Sequence, residues 1–474
     1  MTKEVRFTLI GVFIGLFLAA LDQTVVSTAL PRILKELRGE AWYGWVGALY
    51  LLGSTISAPI AGRLVEILSR RAILLGALGL FGAGSFLCGS AIHLTQLLAF
   101  RFIQGLGGGA LFSLAFTTLA WFFPPRERSR WAGIVGAVFG IAGAVGPILG
   151  GVVAETIGWR WAFWGNLPFL LIAAIFVALH LPIQPAPERA PMDIKGALLL
   201  AGWTSATLLA FSFWSPKRLG EPVWGVVLLG VGMLLLGAWI RTERSQLSPL
   251  FDLRLARIPT FRYAALTGFF FGGIFLTGVT FLPLYLQEVL GYPPRHSGLL
   301  LLAFTVGAIL STGAAGRWVS QHGRYKPILF WSGILLLLLF GWAAFALPAT
   351  FSVGGLTLIM LLTAFPLGPY QALLSVIGQN DIPLHRIGSA TSALQFMRQV
   401  GSAVGLALVN ALYLIGTEGK DIPTEALLGG LRATCGGAAI LSILMCACVL
   451  LLPDGRLRTT HWNPLSESTS KSSS

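Results

Sequence analysis

The chain has 474 residues, of which 55% are hydrophobic and only 11% charged, with a formal charge of +14. A soluble globular domain carries about 25% charged residues, so a soluble protein is excluded and an integral membrane protein is indicated. The basic residues sit in short loops between apolar segments, so the positive balance sets topology and does not point to nucleic acid.

Apolar windows long enough to cross a bilayer, about 20 residues each, fall at 7–30, 43–61, 72–92, 94–122, 131–153, 161–181, 195–214, 222–241, 262–287, 297–316, 327–347, 352–378, 389–415 and 433–452. They predict an all-α membrane bundle of fourteen spans. The first window exceeds the ~7–15 residues of a signal-peptide core and lacks a small-residue cleavage site, so it reads as a span. Lys and Arg crowd into the loops on the side of the N-terminus, as in Arg126, Arg128 and Arg130 or Arg241, Arg244, Arg254 and Arg257. By the positive-inside rule this predicts an even number of spans, with both termini cytoplasmic in the cell (inner) membrane.

The first span contains Asp22, in the run Leu21-Asp22-Gln23-Thr24-Val25-Val26-Ser27-Thr28-Ala29-Leu30-Pro31. An ionisable side chain at that depth costs roughly 2.5 kcal/mol or more in lipid, so it is expected to face a cavity. Asp22 lies ~22 Å along a path of ~30 Å. Between spans two and three, Gly62 to Arg71 holds Glu66, Arg70 and Arg71. They read either as a cytoplasmic latch or as ordinary topogenic charge.

Span four carries Arg101-Phe102-Ile103-Gln104-Gly105-Leu106-Gly107-Gly108-Gly109-Ala110. Arg101 sits ~10 Å below the outer surface, at the level of Asp22, and shares a helix face with Gln104. The two charges form either a switchable pair or a purely structural one. Gly105, Gly107 and Ala110 match a dinucleotide fingerprint only superficially, because no strand precedes them, and they read better as a close helix approach. In span five, Gly146-Pro147-Ile148-Leu149-Gly150-Gly151 combines a packing seam with a proline kink.

Two offsets expose an internal repeat. Gly15 to Asp22 aligns with Gly273 to Thr280, and Gly62 to Arg71 with Gly316 to Tyr325. This predicts a duplicated six-helix half with spans seven and eight inserted between the copies. The expected domains are 1–182, the inserted pair with its linkers at 183–245, a second bundle at 246–453, and a disordered tail at 454–474. Asp22 corresponds to Thr280, so only the first half offers a carboxylate at that level.

In the second half, Pro366, Gly368 and Pro369 interrupt helix twelve before Gln371. On helix thirteen, Gln395, Arg398, Gln399 and Ser402 form a polar stripe, with Arg398 ~14 Å from the inner surface. The stripe is interhelical glue or cavity lining. All four cysteines fall in apolar stretches and are poor candidates for disulfides or a metal.

Four of these segments resemble the major facilitator superfamily, and specifically its fourteen-spanner drug:proton antiporter family. The Asp22 run departs from the family pattern at Ser27, and Ala142 stands where the fifth-helix motif usually has Gly. The Gly62 segment departs at Glu66, Ile67 and Ser69, and Trp159-Arg160-Trp161 adds a fifth likeness. The resemblance implies two six-helix halves plus two additional central helices, fourteen in total. It also implies export of a small amphipathic or drug-like compound in exchange for protons.

In that reading Asp22 and Arg101 couple to the proton. Gln23, Gln104, Gln371, Gln395, Arg398 and Gln399 line the substrate cavity. Gly146, Pro147, Gly150, Gly151, Gly62, Glu66, Arg70 and Arg71 control conformation. No cofactor, metal, nucleic acid or enzyme activity is expected; the partners are a small-molecule substrate, protons and the lipid bilayer, and a monomer is expected. Proton-coupled uptake of a polar or anionic solute, and a non-transporting receptor or scaffold, stand as alternatives.

Overall fold

The computed structural model describes residues 2–38, 42–182, 193–213, 222–246, 249, 251–292, 294–348, 350–417 and 423–460. Among them the secondary structure is helical: α1 (Lys3–Glu36), α2 (Tyr43–Ile67), α3 (Arg70–Gly89), α4 (Leu94–Phe122), α5 (Pro125–Thr156), the single turn α6 (Trp161–Trp164), α7 (Asn166–His180), α8 (Ile194–Phe213), α9 (Pro222–Ser245), α10 (Pro259–Leu284), α11 (Pro294–His322), α12 (Lys326–Ala346), α13 (Val353–Ala364), α14 (Leu367–Gly378), α15 (Ile387–Thr417) and α16 (Pro423–Leu451). A helix occupies each predicted window, and twelve helical stretches are long and apolar enough to cross a membrane. The windows at 195–214 and 389–415 are not among those twelve.

Local chemistry sets the helix ends. Thr2, Ser69 and Ser352 cap α1, α3 and α13 by accepting from backbone N–H groups of the first turn. Gly158 and Gly323 take positive φ just beyond α5 and α11, where a Cβ would be strained, and their N–H groups close the last turn onto Val153 and Val319. The predicted twelfth span breaks into α13 and α14 at Phe365 and Pro366, because proline lacks the N–H that would continue the ladder. The sixth window likewise splits, with Trp161–Trp164 ahead of α7.

The helices fall into two compact units. Unit 1 comprises residues 1–122, 141–254 and 385–396; unit 2 comprises 123–140, 255–384 and 397–474. In unit 1, α4 packs between α2 and α3, α1 lies against α4 and α7, and the α8–α9 pair rests on α2. Trp203 and Phe251 both meet Phe396 there, with ring centroids 5.7 and 5.3 Å apart. In unit 2, α16 packs on α10 and α12, and α11 packs on α13 and α14. Large apolar side chains such as Leu179, Leu234, Trp331 and Phe345 are exposed. Apolar surface of this kind belongs against hydrocarbon, and the helices satisfy their own backbone groups, as a spanning segment must.

The last described residues, 453–460, run across unit 2. Leu457 is buried, its N–H donates to Gly323 O at 2.9 Å, and the Arg458 N–H donates to Asn380 Oδ1 at 3.0 Å. The first residues of the tail expected to lack structure are therefore held in place; residues 461–474 lie outside the described residues, as do 183–192 of the expected linker.

Candidate functional site

Asp22 and Arg101 meet inside unit 1. The residues are 0% and 1% exposed respectively, so Asp22 faces its partners and not the cavity expected of it, and Arg101 Nη1 donates to Asp22 Oδ2 at 2.5 Å. Gln104, one turn further along α4, donates from Nε2 to Asp22 Oδ1 at 2.8 Å and to Ser85 Oγ at 2.8 Å. Its Oε1 accepts from Arg101 at 2.6 Å. Both carboxylate oxygens are thus bonded, which a buried charge requires. Arg101 Nε reaches Val46 O at 3.3 Å, and the guanidinium lies over the Tyr50 ring, 4.4 Å from its centroid. Tyr50 in turn donates to Ala19 O at 3.1 Å. The cluster joins α1, α2, α3 and α4 into one polar centre within an apolar bundle.

Glycines allow that density. A Cβ on Gly105 would stand 2.2 Å from Tyr50 O, one on Gly107 2.3 Å from Phe81 N, and one on Gly84 2.4 Å from the Gln104 Cα. The run on α4 is a packing seam, as the absence of a preceding strand implied. Gln23, next to Asp22 on α1, is exposed.

The fifth-helix motif forms a second seam in unit 1. A Cβ on Gly146 would fall 1.8 Å from Thr24 Oγ1, and one on Gly150 2.1 Å from Thr28 Oγ1 and 2.4 Å from Val25 O. Gly151 has open space beside it. Pro147 lies inside α5, and Thr24 Oγ1 donates to Ala142 O at 3.1 Å, next to the Gly143 carbonyl that proline leaves without its helical donor. At the end of this region Trp159 Nε1 and Arg160 Nη1 both donate to Glu36, at 2.8 and 2.6 Å.

The Gly62 segment is assembled differently from the expected cluster. Glu66 pairs with Arg63 at 2.7 Å and accepts from the Ser389 N–H at 2.8 Å, on the first turn of α15. A carboxylate placed there complements the positive end of the α15 dipole. Gly62 and Gly388 permit the approach, since a Cβ on either would fall within 2.6 Å of the other segment. Arg70 stacks instead on Trp121 at 4.4 Å, because the chain breaks at Leu68 and Ser69 and a new helix starts at Arg70. Arg71 follows on that same new turn, half-buried. The acidic group therefore works with Arg63 and Ser389, two residues whose part the sequence did not reveal.

In unit 2, Arg398 Nη1 donates to Gln371 Oε1 at 3.1 Å, and no carboxylate among the described residues pairs with it. Gln399 is half-buried, and its Oε1 has no hydrogen-bond partner among the described residues. Gln395 is buried and belongs to unit 1, so the stripe on α15 divides between the units. A further arginine, Arg128, is buried. Arg128 donates to Gln379 Oε1 at 2.5 Å and to Phe123 O, within unit 2. Its loop position made it resemble ordinary topogenic charge, and no spacing marked it out.

Residues 12–406 match the Major Facilitator Superfamily. The chain is 30% identical over 417 residues to the multidrug transporter protein MdtP of Bacillus subtilis (strain 168), covering 86% of this chain and 76% of that one. It is 28% identical over 446 residues to Multidrug resistance protein 3 of the same organism, covering 92% and 85%. An uncharacterised MFS-type transporter of Mycobacterium tuberculosis (strain CDC 1551 / Oshkosh) is 34% identical, and the chain spans 60% of its length. Among solved structures, the proton:xylose symporter XylE shares the fold at a TM-score of 0.65 and 15% identity, over 96% of this chain and 98% of that one. A family match across most of the residues, on a multi-pass helical membrane protein with this architecture, means that the chain belongs to the Major Facilitator Superfamily.

Proposed function

We propose that this transporter exports small amphipathic or drug-like compounds in exchange for protons, by alternating access. The observation that carries the reading is the sealed Asp22–Arg101–Gln104 cluster, in a chain whose relatives include proteins named as multidrug transporters. Proton uptake by Asp22 would remove the charge that holds Arg101 and Gln104, so protonation and helix rearrangement are one event. Arg101 stays charged and biases the exchange. Substrate and proton need only favour different states of the protein; no covalent step is involved.

The seam of Gly146 and Gly150 against Thr24 and Thr28 supports sliding of α5 along α1, and the Glu66–Ser389 contact supports a latch on α15. Gln371 and Arg398 offer polar groups to a substrate in the second half. Residues 1–182 and 246–453 act as the two halves, with the inserted helix pair between them in sequence. Both termini face the cytoplasm across the cell inner membrane, in a fourteen-span topology.

Proteoliposomes carrying a pH gradient test the coupling. Adding a lipophilic compound is expected to release protons from the lumen in the wild type and not in Asp22→Asn. Solute accumulation in the direction of proton flow would replace export with uptake. No flux of either kind from a folded sample would remove transport coupling altogether.

A further inference from the structure

At the end of unit 2 remote from the 453–460 segment, α10, α11, α12, α13 and α16 enclose an apolar recess. Phe281, Phe304, Phe340 and Trp342 supply aromatic walls, and Gly278 of α10 and Cys435 of α16 are also part of the lining. The enclosed space is about 100 Å³. Apolar cavities of roughly 150 Å³ stay dry and bind benzene, so this one is on the scale of one ring or a short alkyl segment.

The hydroxyls on its wall are already engaged. Thr277 donates to Gly273 O at 2.8 Å, Thr363 to Ile359 O at 2.8 Å, Thr434 to Gly430 O at 2.9 Å and Tyr285 to Pro348 O at 2.8 Å. Among the described residues, no Asp, Glu, Lys or Arg lines the recess. A charge outside the lining, Arg432, is engaged with the wall backbone, its Nη2 donating at 2.8 Å to Leu347 O. Among the described lining residues a cationic group would meet no acid. The α10 stretch involved, 277–282, overlaps the segment that aligns with the Asp22 stretch of α1. Near the stretch where the first copy of the repeat has an ion pair, the second has an apolar recess.

We infer that this recess is a binding site for the uncharged aromatic or alkyl part of a lipophilic compound, held by shape and burial with no hydrogen bond from the wall. Its use in export rests on the reading above; binding itself does not. Gly278 supplies a direct handle, because a Cβ there meets nothing within 4 Å. A larger side chain would enter the recess without displacing the backbone.

The test uses the full-length chain in nanodiscs, irradiated with an uncharged biphenyl diazirine and, separately, with a quaternary ammonium derivative of the same body. Adducts are mapped by mass spectrometry in the wild type, Gly278→Leu and Cys435→Phe. The neutral probe is expected to label 277–285 and 431–435, at least tenfold less in either filled variant, and to be displaced by unlabelled biphenyl. Equal labelling by the ammonium probe would overturn the proposal. So would adducts spread over exposed Leu179, Leu234 and Phe345, or labelling that unlabelled biphenyl does not displace; this displacement, measured in the wild type, decides the matter even if both variants misfold. Asp22→Asn separates the two readings: it is expected to lose exchange while keeping the label, whereas intact exchange without a label leaves the exporter and removes the site.

Discussion

Asp22 and Arg101 have 0% and 1% of their surface exposed, so their interaction is governed by burial and not by surface screening. Removing one member of a buried pair leaves an uncompensated charge and costs on the order of 3–5 kcal/mol, whereas removing both charges with shape retained is far milder. Asp22→Asn and Arg101→Gln are therefore each expected to lower the Tm of the detergent-solubilised protein, and the double variant is expected to recover most of the loss. A double variant as unstable as the sum of the two would show that the charges do not interact. The sequence disclosed the pair because an acid and an arginine in apolar spans are rare enough to stand out. Tyr50 and Ser85, which complete the cluster, were illegible, since a hydroxyl in a span usually bonds its own helix and carries no long-range signal. Arg128 was hidden by its place in a basic loop; Glu66 was legible as a latch residue, but its partners Arg63 and Ser389 were not.

At the level of helices, the glycines separate into those that another segment abuts and those that face empty space. Gly146 leaves 1.8 Å for a Cβ before Thr24 Oγ1, while Gly151 meets nothing within 4 Å, although the two sit in one motif. Gly146→Ala is expected to push α5 from α1, lowering the Tm by several degrees and the transport rate severalfold. Gly151→Ala is expected to be neutral or to add a few tenths of a kcal/mol through helix propensity. Parallel thermal melts and flux assays read this out, and equal damage from both would mean the motif acts through backbone flexibility instead of close packing. The sequence showed that glycines cluster here but not which neighbour each one meets, because contacts across helices depend on rotation about the helix axis. The break in the twelfth span at Pro366 was legible, since proline acts on its own backbone. The π turn at Tyr285–Val289, which follows α10, had no such marker.

Over the whole molecule, the contact units cut across the repeat read from the sequence. Residues 123–140, with the first half of α5, group with unit 2 and residues 385–396, with the start of α15, group with unit 1, so each of these helices contributes to both. A repeat alignment records ancestry along the chain and cannot show such an exchange. The 453–460 segment belongs to this picture. Its Leu457 bonds Gly323, its Arg458 bonds Asn380 and Asp381, and the Arg458 carbonyl accepts from the Arg126 N–H at 3.0 Å at the start of α5. Tyr325 adds a bond to Pro453 O at 3.0 Å. The segment therefore ties three separate parts of unit 2, through backbone bonds to Gly323 and Arg126 and through bonds that use the Asn380, Asp381 and Tyr325 side chains. A stop after Leu452 breaks all of them and exposes the Leu457 pocket, at about 1 kcal/mol for each lost hydrogen bond. It is expected to lower the Tm by several degrees and to speed proteolysis in the loops after α4 and α11. A stop after Thr460 keeps every one of these contacts and is expected to melt like the full chain. If the shorter protein also melted like the full chain, the segment would be a passenger on unit 2, and α5 would be held there by its contacts with α11 and by the Arg128–Gln379 bond.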